Sequence, residues 1–214
     1  ERYPKPASLP VVVPGSVRDD LFRRDFTINA IAIDITAACF GERIDYFNGI
    51  ADLKERKVRV MHEASFIDDP TRILRAVRFE QRYGFTLEKE TLKFLRNAVS
   101  LKMVDKVQPQ RIRDELLLLL KEEKPLPALK RLSSLVGLGF IDKRLTGSQE
   151  TVRLCGLLEP HILWFKKVYV SRRSLDAWVM YCMALCDTLS LARAKAVCAR
   201  FMFLKGEQKR ILEY

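Results

Sequence analysis

The sequence predicts a mostly α chain in which a short α/β segment precedes an all-helical remainder. Three observations carry that prediction. Before about residue 61, short β-branched runs alternate with Pro, Gly and Asn turns. After it, apolar residues recur at helical spacing. Across all 214 residues 48% are apolar, enough to bury the core of one large domain or two small ones.

Taken in order, residues 1 to 8 are punctuated by proline and read as loop, and residues 9 to 13 are a β-branched run stopped by Pro14 and Gly15, a candidate edge strand. Residues 18 to 22 read as a polar turn. The apolar run 31 to 35 is expected to be buried, residues 43 to 46 and 58 to 61 are strand-like, and Asn48-Gly49 is a turn. These few strands cannot close a sheet alone, so residues 1 to 60 look like the tail of an α/β unit. Helices follow over 87 to 98, 110 to 121 with its solid leucine run 116 to 120, and from Pro125 to about Leu138, ended by Gly137 and Gly139. Three more are expected over 151 to 170, 172 to 189 and 191 to 203. They bring Trp164, Phe165, Trp178 and Phe201 as core or stacking aromatics, with core the reading for most of them.

Residues 67 to 85 stand apart. They read as one helix opened by an Asp69 cap with Pro70 in the first turn, and stopped by Gly84 in a left-handed conformation. At about 100° per residue, Arg72, Arg75, Arg78 and Arg82 fall within an arc of roughly 120°, and Ile73, Leu74, Ala76 and Val77 lie opposite. An acidic pair at the positive end of a helix, followed by a stripe of arginines, suits a polar ligand as well as an ordinary solvated face.

Charge is uneven. The chain is +11 overall, and residues 123 to 214 hold sixteen basic against eight acidic side chains, whereas the first sixty residues are nearly balanced. That excess points to a polyanion such as RNA bound by the C-terminal part. No run approaches 18 uninterrupted apolar residues, which argues against a membrane partner. The five cysteines form no Cys-x-x-Cys pair, and with only His62 and His161 available a structural zinc is not expected. They read as buried thiols of a cytoplasmic protein.

Arg23, Arg24 and Asp25 stand just ahead of the apolar run at 31 to 35. A carboxylate beside two guanidiniums suits a ligand with hydroxyls and phosphates, with Asn29 one helical turn on; a salt-bridged corner is the alternative. The string RRDFTINAIA at 23 to 32 resembles the most recognisable motif of the class II tRNA nucleotidyltransferase and bacterial poly(A) polymerase family, which includes the CCA-adding and A-adding enzymes. Asp45, Gly49, Asp52, Leu53 and Arg59 are similar to its next motif. Asp68, Asp69 and Arg72 resemble its Glu-Asp-x-x-Arg motif, and RIRDEL at 111 to 116 its neck motif. The four occur in order over about 95 residues; the remainder matches only as a basic helical body.

The resemblance implies a remnant of a nucleotidyltransferase head over 1 to 60, a nucleotide-selecting helical neck over 61 to 122, and an RNA-binding helical body over 123 to 214. It implies that Asp69 and Arg72 read the base edge of the incoming nucleotide and Asp25 takes a ribose hydroxyl. Arg23 or Arg24 and Arg75 would lie near the phosphates, and Arg78 near the same cluster. Asp68 stands where the family has Glu, one methylene longer. The family's Gly-Ser loop and Asp-x-Asp pair, which hold two Mg²⁺ ions, do not occur together anywhere in the sequence. The chain therefore reads as a fragment with no metal ligands of its own, Glu1 being the one candidate catalytic acid. The implied reaction is template-independent addition of CMP and AMP, or AMP alone, to tRNA 3′ ends from CTP and ATP. Poly(A) polymerase and a non-catalytic RNA-binding module are the alternatives.

Overall fold

The computed structural model describes residues 4–11, 13–146, 149–169 and 175–213. The chain divides into two compact units, Glu1–Val107 and Gln108–Tyr214. The first unit joins what the sequence separates into head and most of the neck.

In the first unit, α1 (Val17–Phe22) is opened by a capping box: the Ser16 hydroxyl accepts from the Asp19 amide, and the Asp19 carboxylate accepts from the Ser16 amide. The expected polar turn is thus a helix. A 3₁₀ turn (Thr27–Asn29) leads to β1 (Ala32–Ile33), which pairs antiparallel with β2 (Arg43–Ile44) in a two-stranded ribbon. The run at 31 to 35 is not buried as expected: Ile33 and Ile35 are 62% and 80% exposed. Of the expected strand at 9 to 13, the described residues show a single bridge position, Val11, with Leu9, Val11 and Val13 exposed; residue 12 lies outside the described residues.

The Asn48-Gly49 turn opens a helix that the sequence reading passed over, α2 (Gly49–Lys54). Asn48 takes the left-handed conformation, and both oxygens of Asp45 accept first-turn amides, from Gly49 at 2.8 Å and Ile50 at 2.9 Å. Next, β3 (Lys57–Val58) pairs in parallel with β4 (Thr86–Leu87). Between these strands lie α3 (Ser65–Asp68) and α4 (Thr71–Tyr83). The single helix expected over 67 to 85 is therefore two. Pro70 disfavours helical backbone at the residue before it, and Asp69 is extended, with φ −134° and ψ 91°. Gly84 ends α4 at φ 62° as expected.

The α4 helix also differs from a helix with one wet face. Arg72, Arg78 and Glu80 are buried along with Ile73, Leu74, Ala76 and Val77. Of the other two stripe arginines, Arg75 is half-buried and Arg82, in the last turn, is exposed. Helix α5 (Lys89–Ser100) is capped by Glu88, whose carboxylate accepts from the amides of Glu90 and Thr91. Phe26, Phe66, Ile73, Leu74 and Leu95 are fully enclosed in this unit's core.

The second unit is helical throughout its described residues: α6 (Pro109–Leu120), α7 (Pro125–Leu135), α8 (Gln149–Val168), α9 (Ala177–Asp187), α10 (Leu191–Arg200) and α11 (Lys205–Leu212). The last was not expected. The leucine run is only partly buried: Leu116, Leu119 and Leu120 are enclosed and Leu118 is exposed, because five consecutive helical residues point all the way round. Cys155, Cys182, Cys186 and Cys198 lie in the core as free thiols, and burial pushes Cys155 and Cys186 up to about 12. Of the four aromatics, Phe201 is core, Phe165 and Trp178 are half-buried, and Trp164 is exposed. No described helix is long and apolar enough to cross a membrane.

Candidate nucleotide-selecting site

The site forms where α4 meets the segment running from 23 to 29. Arg72, in the first turn of α4, is buried, and its guanidinium is anchored twice. Nη1 donates to the Ser65 hydroxyl at 2.6 Å, and Nη2 donates to the Arg23 carbonyl at 3.1 Å, 49 residues earlier in the chain. One position ahead of Pro70, Asp69 is half-buried. Its Oδ1 accepts from the Thr71 amide at 3.1 Å and the Thr71 hydroxyl at 2.6 Å. Asp69 therefore serves the first turn as expected, although Pro70 rather than Asp69 occupies the cap position.

Three residues further along α4, Arg75 lies on Asp25. Its Nε and Nη2 both donate to Asp25 Oδ2, at 2.8 and 2.6 Å, while Oδ1 accepts from the Phe26 amide at 2.9 Å and the Asn29 side chain at 2.8 Å. Asp25 is buried, so both its oxygens are held by protein donors. The structure thus brings Asp25, Asn29 and Arg75 together, and Arg72 beside them. Arg23 and Arg24 both pair with Asp20, at 2.5 and 3.1 Å, in exposed contacts. Arg78 is buried with its guanidinium 4.9 Å from the centre of the Phe79 ring. Asp68 faces His62, at 3.9 Å, and the His62 ring lies 5.5 Å from the Phe22 ring. Burial lowers the His62 pKa below its usual 6.5, against the opposing pull of Asp68. Glu1 lies outside the described residues.

A second network holds these elements in register. Asp52 is 3% exposed, accepts from the Thr27 hydroxyl at 2.6 Å and from Arg59 Nε at 3.0 Å, and Arg59 reaches Glu88 at 3.7 Å. Thr91 closes the circuit: its hydroxyl accepts from the Val60 amide and donates to Glu88. Gly49 is needed where α2 crosses the 3₁₀ turn, because a Cβ there would stand 2.2 Å from the Thr27 carbonyl oxygen. Ser65, Asp20 and His62 were not picked out from the sequence. An acid three and four residues before Arg23 and Arg24 on one helix face is a signal for Asp20; nothing in the local pattern marks Ser65.

Residues 2–59 match the family described as the Poly A polymerase head domain, and residues 84–135 match the probable RNA and SrmB-binding site of polymerase A. The two matches together span just over half the chain. The chain belongs to the tRNA nucleotidyltransferase and poly(A) polymerase family. The A-adding tRNA nucleotidyltransferase of Geobacter sulfurreducens is 37% identical over 213 residues, covering 100% of this chain and 24% of the relative. A solved apo CCA-adding enzyme superposes with a TM-score of 0.86 at 34% identity, over 99% of this chain and 49% of that one. The Thermotoga maritima CCA-adding enzyme complexed with tRNA superposes at 0.80, with 33% identity, over 91% and 47%. The chain thus spans about a quarter of that curated relative and about half of those solved chains.

In this chain the Arg23–Asp25 motif and α4 are joined by two arginines one turn apart, each grasping the motif at a different point. Among the described residues no group of three or more His, Cys, Asp or Glu stands close enough to hold a metal ion.

Proposed function

We propose that this chain supplies nucleotide selection and RNA binding to a template-independent tRNA nucleotidyltransferase that adds CMP and AMP, or AMP alone, to tRNA 3′ ends. The supporting observation is the double anchor of Arg72. A guanidinium fixed by Ser65 and by the Arg23 carbonyl keeps its plane in place before any ligand arrives. The Arg72 guanidinium and the Asp69 carboxylate have the chemistry to read the base edges of cytosine and adenine: the carboxylate accepts from the exocyclic amine and the guanidinium donates to ring nitrogen or carbonyl oxygen. Asp25 meets a ribose hydroxyl only at the expense of one of its protein donors. Its main work in this reading is to orient Arg75 and Asn29, with Arg23, Arg24 and Arg75 nearest the phosphates. Arg78 and Asp68 support the helix and its mouth.

In this reading the three functional parts are head remnant 1 to 60, neck 61 to 122 and body 123 to 214. Mg²⁺ is held by acids other than those described, and the protein works in the cytoplasm. The polymerase wording of both matched families favours poly(A) addition as a second reading. Incubating the 214-residue chain with tRNA lacking its 3′ end, Mg²⁺, CTP and ATP should give no extension, and robust extension would overturn the assignment of the metal acids. RNA affinity should fall steeply with salt as lysines and arginines displace counterions; a flat response would remove the RNA-binding role.

A further inference from the structure

The last turns of α8 expose an aromatic group that the core does not use. Trp164 is 59% exposed and Tyr169, just past the helix, 45%. Tyr169 stacks on the half-buried Phe165 at 4.8 Å between ring centres and meets the Trp164 ring nearly at right angles, at 6.3 Å. The Tyr169 amide donates to the Phe165 carbonyl at 2.9 Å, fixing the rings on one another. Trp178 makes the contrast. Its ring lies parallel to that of Phe203, and Lys121 stands 5.4 Å from its centre, so it is engaged within the protein.

Two cations are interleaved with these rings. Lys166 and Lys167 are exposed and, among the described residues, pair with no acid, whereas Arg153, Arg193 and Arg210 are neutralised by Glu150, Asp142 and Asp176. Lysine is depleted in the cores of protein–protein interfaces. Aromatic faces for bases alternating with cations for phosphates are instead the pattern of single-stranded nucleic acid binding.

We propose that Trp164 and Tyr169, held by Phe165 and flanked by Lys166 and Lys167, form a stacking platform for an unpaired base of RNA. This rests on the RNA-binding reading given above and adds to it a location and a mode of contact.

The test uses two short single-stranded oligoribonucleotides of equal length, one bearing adenines and one abasic at the same positions, bound to the 214-residue chain and followed by fluorescence anisotropy. Trp164→Ala should weaken the adenine oligonucleotide about tenfold, in line with stacking energies measured by alanine substitution, and leave the abasic one unchanged. Trp164→Phe should keep most of the affinity. Lys166→Gln with Lys167→Gln should weaken both oligonucleotides and flatten the salt dependence. In a Trp178→Phe background, where Trp164 is the only tryptophan, the adenine oligonucleotide should quench its fluorescence and the abasic one should not. If salt-dependent binding persists and Trp164→Ala does not change it, the platform is wrong and the RNA-binding reading stands. If neither oligonucleotide binds, both fall. If the chain self-associates and Trp164→Ala abolishes that, the patch is an interface between copies and the platform is refuted.

Discussion

Replacing Gly49 with alanine tests whether the crossing of α2 and the 3₁₀ turn sets the geometry of the site. The added Cβ would meet the Thr27 carbonyl oxygen at 2.2 Å and the carbonyl carbon and Ile31 Cγ1 at 2.9 Å, where ordinary contact begins at 3.4 Å. Opening that gap requires the two backbones to part by about 1 Å, with loss of the dispersion contacts around them. Overpacking of this kind costs about 1–3 kcal/mol. Because the obstacle is backbone rather than a flexible side-chain end, the upper half of that range applies. Against it stands the gain of replacing glycine in a helix, at most about 1 kcal/mol. The net expectation is a loss of about 2 kcal/mol, or a fall in Tm of roughly 8 °C or more for a unit of this size, read by calorimetry. The shift should reach the site, because Thr27 and Asn29 share the displaced turn and Asn29 bonds Asp25. An unchanged or raised Tm would show that the two elements are not in close register and would refute the reasoning.

In an enzyme carrying this chain, Arg72→Ala should lessen discrimination among the four NTPs by about tenfold, the scale of a bidentate base contact; unchanged selectivity would remove the assignment. Asp52→Ala leaves the Thr27 hydroxyl and Arg59 without their acceptor and should cost about 2–4 kcal/mol in urea unfolding, and a loss under ~0.5 kcal/mol would show that the network is not structural. His62 has a lowered pKa when folded, so the unfolded chain takes the proton first on acidification. Its contribution to stability is therefore flat above pH 6.5 and lost as pH falls through the lower folded value. His62→Gln should remove that part of the acid slope, and an identical slope in the variant would contradict it. Thiol reagents should modify the half-buried Cys39 readily, and Cys155, Cys182, Cys186 and Cys198 only on unfolding, since burial raises the pKa of each of those four. Fast reaction of all five in native buffer would contradict the packing.

What could be read from the sequence followed from local signals. Gly84 and the helices of the second half were legible because caps, prolines and apolar period act within a few residues. The motif residues were legible as a set, while their partners were not. Asp25, the partner of Arg75, stands fifty positions away in the chain, and Asp20, which Arg23 and Arg24 share, was not picked out. Periodicity gives the side of a helix on which a residue falls, but not what comes to cover that side. For this reason the burial of Arg72 and Arg78 on the arginine face of α4 was not legible. The break at Asp69 was available from Pro70, whose effect on the preceding residue outweighed the helical pattern around it.

The anchor of Arg72 has a genetic consequence. One of its holds is the Arg23 carbonyl, a main-chain group that every amino acid supplies. Drift at position 23 can therefore alter the charge facing a ligand while leaving the guanidinium of Arg72 where it is. Position 65 has no such latitude, because its hydroxyl is the hold itself. Variation accepted at 23 and refused at 65 would let descendants of this chain retune how they grip a ligand without rewriting which one they choose.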